Sequence, residues 1–460
     1  MELLNYQELE NKIKNFITID GDNVNVVNED ELRESGIDLL VQNAVFNEGE
    51  KEKALCRWII REAAQSLGIY PSSIQGLYMA RAQNRYQKKT VPAINIRVLT
   101  YDVAREIIKT GRANNSTAYI FEIAKSEIGY TFQRPSEYAA CVLAAAIKEN
   151  YKGPVFLQGD HYQVNASNFQ KDREGEISKL KDLIKESIEA GFYNIDIDSS
   201  TLVDLSKETI DEQQRLNYEI TAELTAFIRE LEPEGITISV GGEIGEVGKK
   251  NSTPEELRAY LDGYKKCLEG YNKNYAGISK ISVQTGTSHG GVPLPDGTIA
   301  EVKLDLDTLG TLSKIAREEY GLGGAVQHGA STLPEDAFGH FPERETLEVH
   351  LATGFQNIIY DSKSFPADLR EKIYQTIVEK FSSEKKDSQT HEQFIYKTRK
   401  KGFGPHKKEV WSLPKDNLNA IMGELRDKFD LIFKKMNCVD MTDIVNETIK
   451  TVRVKAKKPV

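Results

Sequence analysis

The stretch GPVFLQGDH, Gly153 to His161, decides the fold. Its run VFLQ reads as a buried parallel strand, and Asp160 and His161 leave the strand at its carboxyl end. Two further runs end the same way. ISKISVQTGTSHGG (278–291) carries His289, and GGAVQHGAS (323–331) carries His328. Three of only seven histidines thus follow a short apolar run, and His289 and His328 are each followed by glycine. In an α/β barrel such strand ends meet on one rim, where active sites are built. Imidazoles gathered there suit a catalytic zinc, which takes three protein ligands and keeps a fourth position open. A lone histidine at a strand end is ordinarily a hydrogen-bonded residue, so the repetition carries the metal reading.

Outward from this stretch, short apolar runs alternate with longer amphipathic ones, the pattern of βα units. Eight strands are predicted: VPAINI (91–96), TAYIFEI (117–123), GPVFLQGDH (153–161), YNIDIDS (193–199), ITISVGGEIG (236–245), ISKISVQTG (278–286), GAVQHG (324–329) and FQNIIYDS (355–362). Helical patterns between them, such as EISKLKDLIKESIEAG, end in glycine as helix C-termini often do. The expectation is an α/β fold, a (β/α)8 TIM barrel over residues 89–380, with a doubly wound open sheet as its competitor. A helical N-terminal extension, residues 1–88, precedes the barrel, and a helical C-terminal extension, residues 381–460, follows it. The polar stretch SSEKKDSQTHEQ reads as an exposed loop, and the basic tail KTVRVKAKKPV as frayed.

The 460 residues are 39% hydrophobic and 28% charged, with a net charge of −10. The acidic balance argues against nucleic acid as a partner, because phosphate backbones need a basic face. It leaves room for an anionic small substrate bound at a local positive site. The four cysteines, Cys56, Cys141, Cys267 and Cys438, are scattered without a C-x-x-C pair and read as reduced thiols. No segment approaches a membrane span, and MELLNYQELENK is too acidic for a secretory signal, so a cytoplasmic protein is expected.

The order of these pieces resembles the class II, metal-dependent fructose-bisphosphate aldolases, a family that includes the tagatose-bisphosphate aldolases. The resemblance rests on VPAINI at the first strand, Asp160-His161 after the third, Glu243-Ile-Gly after the fifth, GTSHGG after the sixth, QHGAS after the seventh and Asn357 on the eighth. It implies zinc held by His161, His289 and His328, with Glu243 contacting the metal in one of its positions. It implies Asp160 as the general base that takes the C4 hydroxyl proton, and phosphate contacts at Gly290, Gly329, Ser331 and Asn357, with Asn95 also facing substrate. Where the family has Asn-x-Asp-Thr this chain reads Asn357-Ile-Ile-Tyr-Asp361-Ser362, so Asp361 faces substrate only if the turn is two residues longer. A monovalent cation near the phosphate turns and a homo-oligomer, dimer or tetramer, go with the family. The implied reaction is reversible cleavage of a ketose bisphosphate, foremost fructose 1,6-bisphosphate, into dihydroxyacetone phosphate and glyceraldehyde 3-phosphate.

The residues leave alternatives open at each point. Glu243 can be a salt-bridging carboxylate, Asp160 can orient a histidine ligand, and the glycines can serve tight turns. The chain also departs from the family pattern. After the fifth strand, where acids are expected, stand Lys249 and Lys250, which leaves Glu246, or Glu255 and Glu256, to protonate the enediolate. Ala124 falls where a phosphate-contacting serine is expected, followed by Lys125 and Ser126. Two other functions therefore stand beside the aldolase: a non-catalytic companion subunit like that of tagatose-bisphosphate aldolase, and a zinc-dependent barrel hydrolase.

Overall fold

The computed structural model describes residues 2–245, 250–286 and 304–459. Eight parallel strands close into a barrel: β1 (Val91–Asn95), β2 (Ile120–Ala124), β3 (Gly153–Gln163), β4 (Asn194–Asp198), β5 (Ser239–Glu243), β6 (Lys280–Val283), β7 (Ala325–Gln327) and β8 (Glu348–Leu351). Each strand pairs with the next, and β8 closes onto β1 in the register Glu348↔Val91 to Leu351↔Ile94. The strands are buried on both faces, which is why they read in the sequence as apolar runs. Amphipathic helices cover them. Two of these, Ile210–Leu231 and Pro254–Tyr271, start with reciprocal capping boxes, Thr209 with Glu212 and Thr253 with Glu256.

Seven of the eight predicted runs form barrel strands, and the eighth is displaced. FQNIIYDS lies in a helix, Thr353–Asp361, and β8 is the preceding LEVHL. The β-branched pair in NIIY suggested a strand, but the buried positions Phe355, Gln356, Ile359 and Tyr360 follow helical spacing. LEVHL hid because Glu348 and His350 interrupt it, and both point into the barrel.

The middle of β3 is irregular where it matters. Its register against β4 shifts between Gly159 and Tyr162, and His161 stands at φ +43°. Tyr162 turns outward into the helix layer, buried, with its hydroxyl 2.6 Å from Ser187 Oγ on the helix Arg173–Ala190. Its ring lies so close to Gly159 that a Cβ there would be 2.4 Å from it. The bulge thus buries Tyr162 and re-aims Asp160 and His161 towards the rim, as bulges beside active sites commonly do.

The N-terminal segment is helical, as expected, but it also holds a hairpin, Ile17–Asp20 with Asn23–Val26, turned at Gly21 (φ +56°). A short strand, Ile69–Pro71, pairs with the start of β3. The tail is not frayed. Val452, Val454 and Ala456 pack against the core while the basic residues alternate with them. Val454 N donates to Gln65 Oε1 (2.8 Å), Ala456 N donates to Glu62 Oε1 (2.9 Å), and Trp58 Nε1 donates to Ala456 O (2.9 Å). No helix among the described residues is long and apolar enough to cross a membrane.

Candidate metal centre and active site

A cavity of about 800 Å³ opens at the carboxyl ends of the strands, with Asp160, His161, His328 and His350 on its floor. The rings of His161 and His328 have centroids 4.3 Å apart, and those of His328 and His350 4.1 Å apart. Two of the three histidines expected to hold a metal therefore meet. The third, His289, lies outside the described residues, as do Gly290, Glu246 and Lys249. Lys250 is described, and it pairs with Glu256 at 2.9 Å.

The bonds around His161 fix which nitrogen faces the cavity. Its Nδ1 lies 3.1 Å from Asp198 Oδ2 and 3.2 Å from Glu243 Oε2, while Nε2 lies 4.0 Å from Asp160 Oδ1. A carboxylate behind one nitrogen sets the tautomer and turns the other towards a metal. Asp198 is held in turn, accepting from Ser200 Oγ (2.6 Å) and Gln163 Nε2 (2.6 Å). Glu243 thus sits behind His161, on the Nδ1 side. His328 is steadied by Ser282, whose Oγ is 3.0 Å from Nε2.

His350, Glu122, Asp196, Glu348 and Lys280 escaped the sequence reading. His350 Nδ1 lies 2.9 Å from Glu122 Oε2 and 3.2 Å from Asp160 Oδ1, and its Nε2 lies 2.6 Å from Glu348 Oε1. Beneath this ring Lys280, 1% exposed, gives its three protons to Gln158 Oε1 (2.8 Å), Asp196 Oδ2 (2.9 Å) and Glu348 Oε1 (2.6 Å). Charged residues on strands of an α/β barrel belong to the interior only when they meet one another this way. The signal available in the sequence was their place inside strand-like runs: Glu122 in YIFEIA, Lys280 in ISKISV, His350 in LEVHL.

The donor set fits a divalent cation. Six carboxylates, those of Glu122, Asp160, Asp196, Asp198, Glu243 and Glu348, crowd the three histidines in the candidate ligand groups. Burial pushes Glu122 and Glu243 up to about 7 and Asp196 up to about 6. Burial opposes ionisation of Asp160 too, but His161 and His350 outweigh it and hold that carboxyl well below its usual range. Against the effect of burial, Asp160 and Glu243 raise His161 well above its usual value, and Glu122 and Asp160 do the same for His350. Without a cation, then, the site keeps protons to balance its carboxylates; metal binding displaces such protons. Asp160 Oδ1 and both nitrogens of His350 are buried and have no partner in hydrogen-bond geometry among the described residues.

Above the floor, Asn95, Gly329 and Ser331 line the cavity, together with Lys125, Ser126 and Thr353. Asn95 donates to Glu127 and keeps its own Oδ1 without a hydrogen bond among the described residues. Gly329 adopts φ +70°, open to glycine at no steric cost. Ser331 Oγ accepts from Gly354 N at 3.1 Å, which ties the turn after β7 to the helix after β8. Arg97 joins the end of β1 to the same helix, through Glu127 Oε1 (2.8 Å) and Gln356 Oε1 (2.7 Å).

Asn357 and Asp361 do not line the cavity. They lie one and two turns along the helix Thr353–Asp361 and grip Arg399: Asp361 accepts from it at 2.6 and 3.0 Å, and Asn357 Oδ1 at 2.7 Å. That clamp brings a segment of the C-terminal extension to the cavity mouth, where Tyr396, Lys397 and Lys400 line it. Burial beside Arg97 lowers the pKa of Lys400, which stands over the Tyr130 ring.

The sequence matches no protein-family model and no curated protein. Solved structures share the fold. A probable tagatose 6 phosphate kinase from Sinorhizobium meliloti aligns over 78% of this chain and 99% of its own, at TM-score 0.55 and 13% identity. A fructuronate-tagaturonate epimerase from Cohnella laeviribosi aligns over 85% and 90%, at TM-score 0.55 and 12% identity. A fructose-bisphosphate aldolase from Campylobacter jejuni aligns over 81% and 96%, at TM-score 0.47 and 18% identity. At such identities the first two likenesses establish the architecture alone: a (β/α)8 barrel with helical additions.

Proposed function

We propose that this protein is a metal-dependent aldolase that cleaves a phosphorylated ketose, with fructose 1,6-bisphosphate as the first candidate. One observation carries the proposal: His161, His328 and Asp160 converge at the carboxyl end of the barrel, with Asp198 behind His161. His161 and His328 would hold the metal, with His289 as the third imidazole implied by the sequence. A bound divalent ion supplies Lewis-acid polarisation of a carbonyl and stabilises negative charge as it develops beside it.

The chain's own residues supply the rest. Asp160 lines the cavity as a carboxylate; its Oδ1 is turned to His161 and His350, and its other oxygen serves as the proton acceptor for the substrate hydroxyl. Asn95, with its unfilled Oδ1, takes a second hydroxyl. Lys125 and Lys400 attract the anionic groups, and the backbone N–H groups around Gly329 and Thr353 accept a phosphate as turns and helix starts do. Glu246 remains the candidate that returns a proton to the three-carbon fragment.

The test is aldol cleavage of fructose and tagatose bisphosphates by protein stripped with a chelator and then reloaded with zinc. Triose phosphate should appear only after reloading. Metal-loaded protein that releases none from either ketose would sink the proposal.

A second reading is epimerisation of an anionic ketose or keto-acid. The wide overlap with the Cohnella epimerase, 85% of this chain and 90% of that one, supports keeping it. Breaking a C–C bond and re-forming it with the aldehyde turned over inverts one carbinol centre at the same kind of site. Incubation of the metal-loaded protein with fructuronate, followed by NMR, separates the two. An epimer without free aldehyde favours this reading, and an unchanged substrate removes it.

A further inference from the structure

We propose that the barrel holds two divalent cations, the second seated between Glu122, Asp160 and His350 and sharing Asp160 with the site of His161 and His328. Ligand atoms of Asp160, His161 and His328 all lie within 4.8 Å of one another, and so do those of Glu122, Asp160 and His350. The same oxygen, Asp160 Oδ1, faces both groups: it is 4.0 Å from His161 Nε2 and 3.2 Å from His350 Nδ1.

The contacts at the second seat are poor hydrogen bonds and good ligand edges. His350 Nδ1 approaches two carboxylate oxygens, at 2.9 and 3.2 Å, yet has no hydrogen-bond partner among the described residues. A cation about 2.0–2.2 Å from each ligand atom sets neighbouring ligands roughly 3.0–3.5 Å apart, which matches these spacings. His350 is 5% exposed, Glu122 is fully buried, and Glu122 Oε1 has no hydrogen bond among the described residues. Both groups line the cavity floor yet are almost wholly buried, and leaving such groups unfilled is costly.

The arrangement behind the ring supports the same assignment. His161 turns Nε2 to the cavity because Asp198 lies against its Nδ1. His350 turns Nδ1 to the second seat while Glu348, locked by Lys280, lies against its Nε2. Each imidazole thus has a carboxylate beside its other nitrogen: hydrogen-bonded for His161, as in metal-bound histidine, and in close contact without hydrogen-bond geometry for His350. Paired metal sites bridged by one carboxylate hold their ions about 3.5–4 Å apart and clamp two oxygens of one substrate. A vicinal pair such as a carbonyl and its neighbouring hydroxyl has that reach.

The inference does not depend on which reaction the site performs, because it concerns metal content and not product. The experiment is titration of chelator-stripped protein with Co2+, followed by visible absorbance and by metal analysis after gel filtration. The wild-type chain should take up two ions. Glu122→Gln and His350→Asn should each take up one, held by His161 and His328, while circular dichroism and melting temperature report the fold. One ion in the wild type would overturn the proposal and leave His350 as an imidazolium paired to carboxylates. Two ions in both variants would overturn it equally, by moving the second ion elsewhere. Should the variants not fold, Mn2+-loaded wild type decides by electron paramagnetic resonance: a bridged pair gives exchange-coupled lines, and isolated ions, which would refute it, do not.

Discussion

The imidazole of His161 can offer Nε2 to the cavity because Asp198 and Glu243 occupy its Nδ1 side. Asp198→Asn removes the charge and lets an amide donate where the carboxylate accepted. Metal affinity should fall about 10- to 100-fold, read by competition with a chromophoric chelator; an unchanged affinity would assign the orienting role to Glu243. At this scale the sequence was half legible. Asp160 and His161 stood out because they follow an apolar run. Glu122, Lys280 and His350 did not, because a charged residue inside such a run looks like a solvent-facing position until its opposite charge is found across the barrel. Gly76 was also illegible: a Cβ there would lie 2.1 Å from Thr448 O, a contact between segments far apart in the chain. Gly76→Ala should cost about 1–3 kcal/mol by overpacking, measured by urea unfolding, and a neutral result would mean the helix Thr442–Thr448 moves aside freely.

Among the elements, strands β1 to β7 were readable from short apolar runs, whereas β8 was not, since four residues with Glu348 and His350 among them carry too little apolar signal. Moving the eighth strand forward changes the work of Asn357 and Asp361. They position the segment His391–Gly402 through Arg399 and so act on the cavity at one remove. Asp361→Asn weakens a two-pronged ion pair by roughly 1 kcal/mol, so KM for an anionic substrate should rise about fivefold with bound metal unchanged. A change in metal content without a change in KM would contradict this placement. The tail gave a misleading signal of its own: its lysines suggested fraying, while the alternation Val452, Val454, Ala456 marks an edge that docks. Deleting residues 452–459 removes the partners of Glu62 and Gln65 and uncovers the apolar surface under Val452, Val454 and Ala456, at a cost of about 2–5 kcal/mol. A loss below about 0.5 kcal/mol in urea unfolding would show the docking to be incidental.

Across the whole molecule, the barrel carries a charged interior where a hydrophobic one would be cheaper to build. Lys280→Met should destabilise by about 3–5 kcal/mol at neutral pH, because Glu348 and Asp196 would stay buried without their ammonium. The pH dependence has a definite sign. Burial opposes the charge of Glu348, but Lys280 and His350 hold its folded pKa below the unfolded value. Its contribution is therefore present above the unfolded pKa and is lost as pH falls through the folded one. In the variant, burial would lift that pKa above the unfolded value of about 4.3, so the penalty grows as pH rises past it. The stability gap between the two proteins should be wide at pH 7.5 and narrow at pH 4.5; an equal gap at both would mean that the cost is packing and not charge.

The bond from Trp58 Nε1 to Ala456 O joins positions 398 apart and ties the N-terminal extension to the C-terminal one. Contacts between such distant positions form late, after the intervening chain has brought its ends together, because loop closure must come first. Interactions absent from the folding transition state slow unfolding without speeding folding. The clasp is thus a brake on opening: its loss should raise the unfolding rate in stopped-flow chevrons and leave the refolding limb where it was.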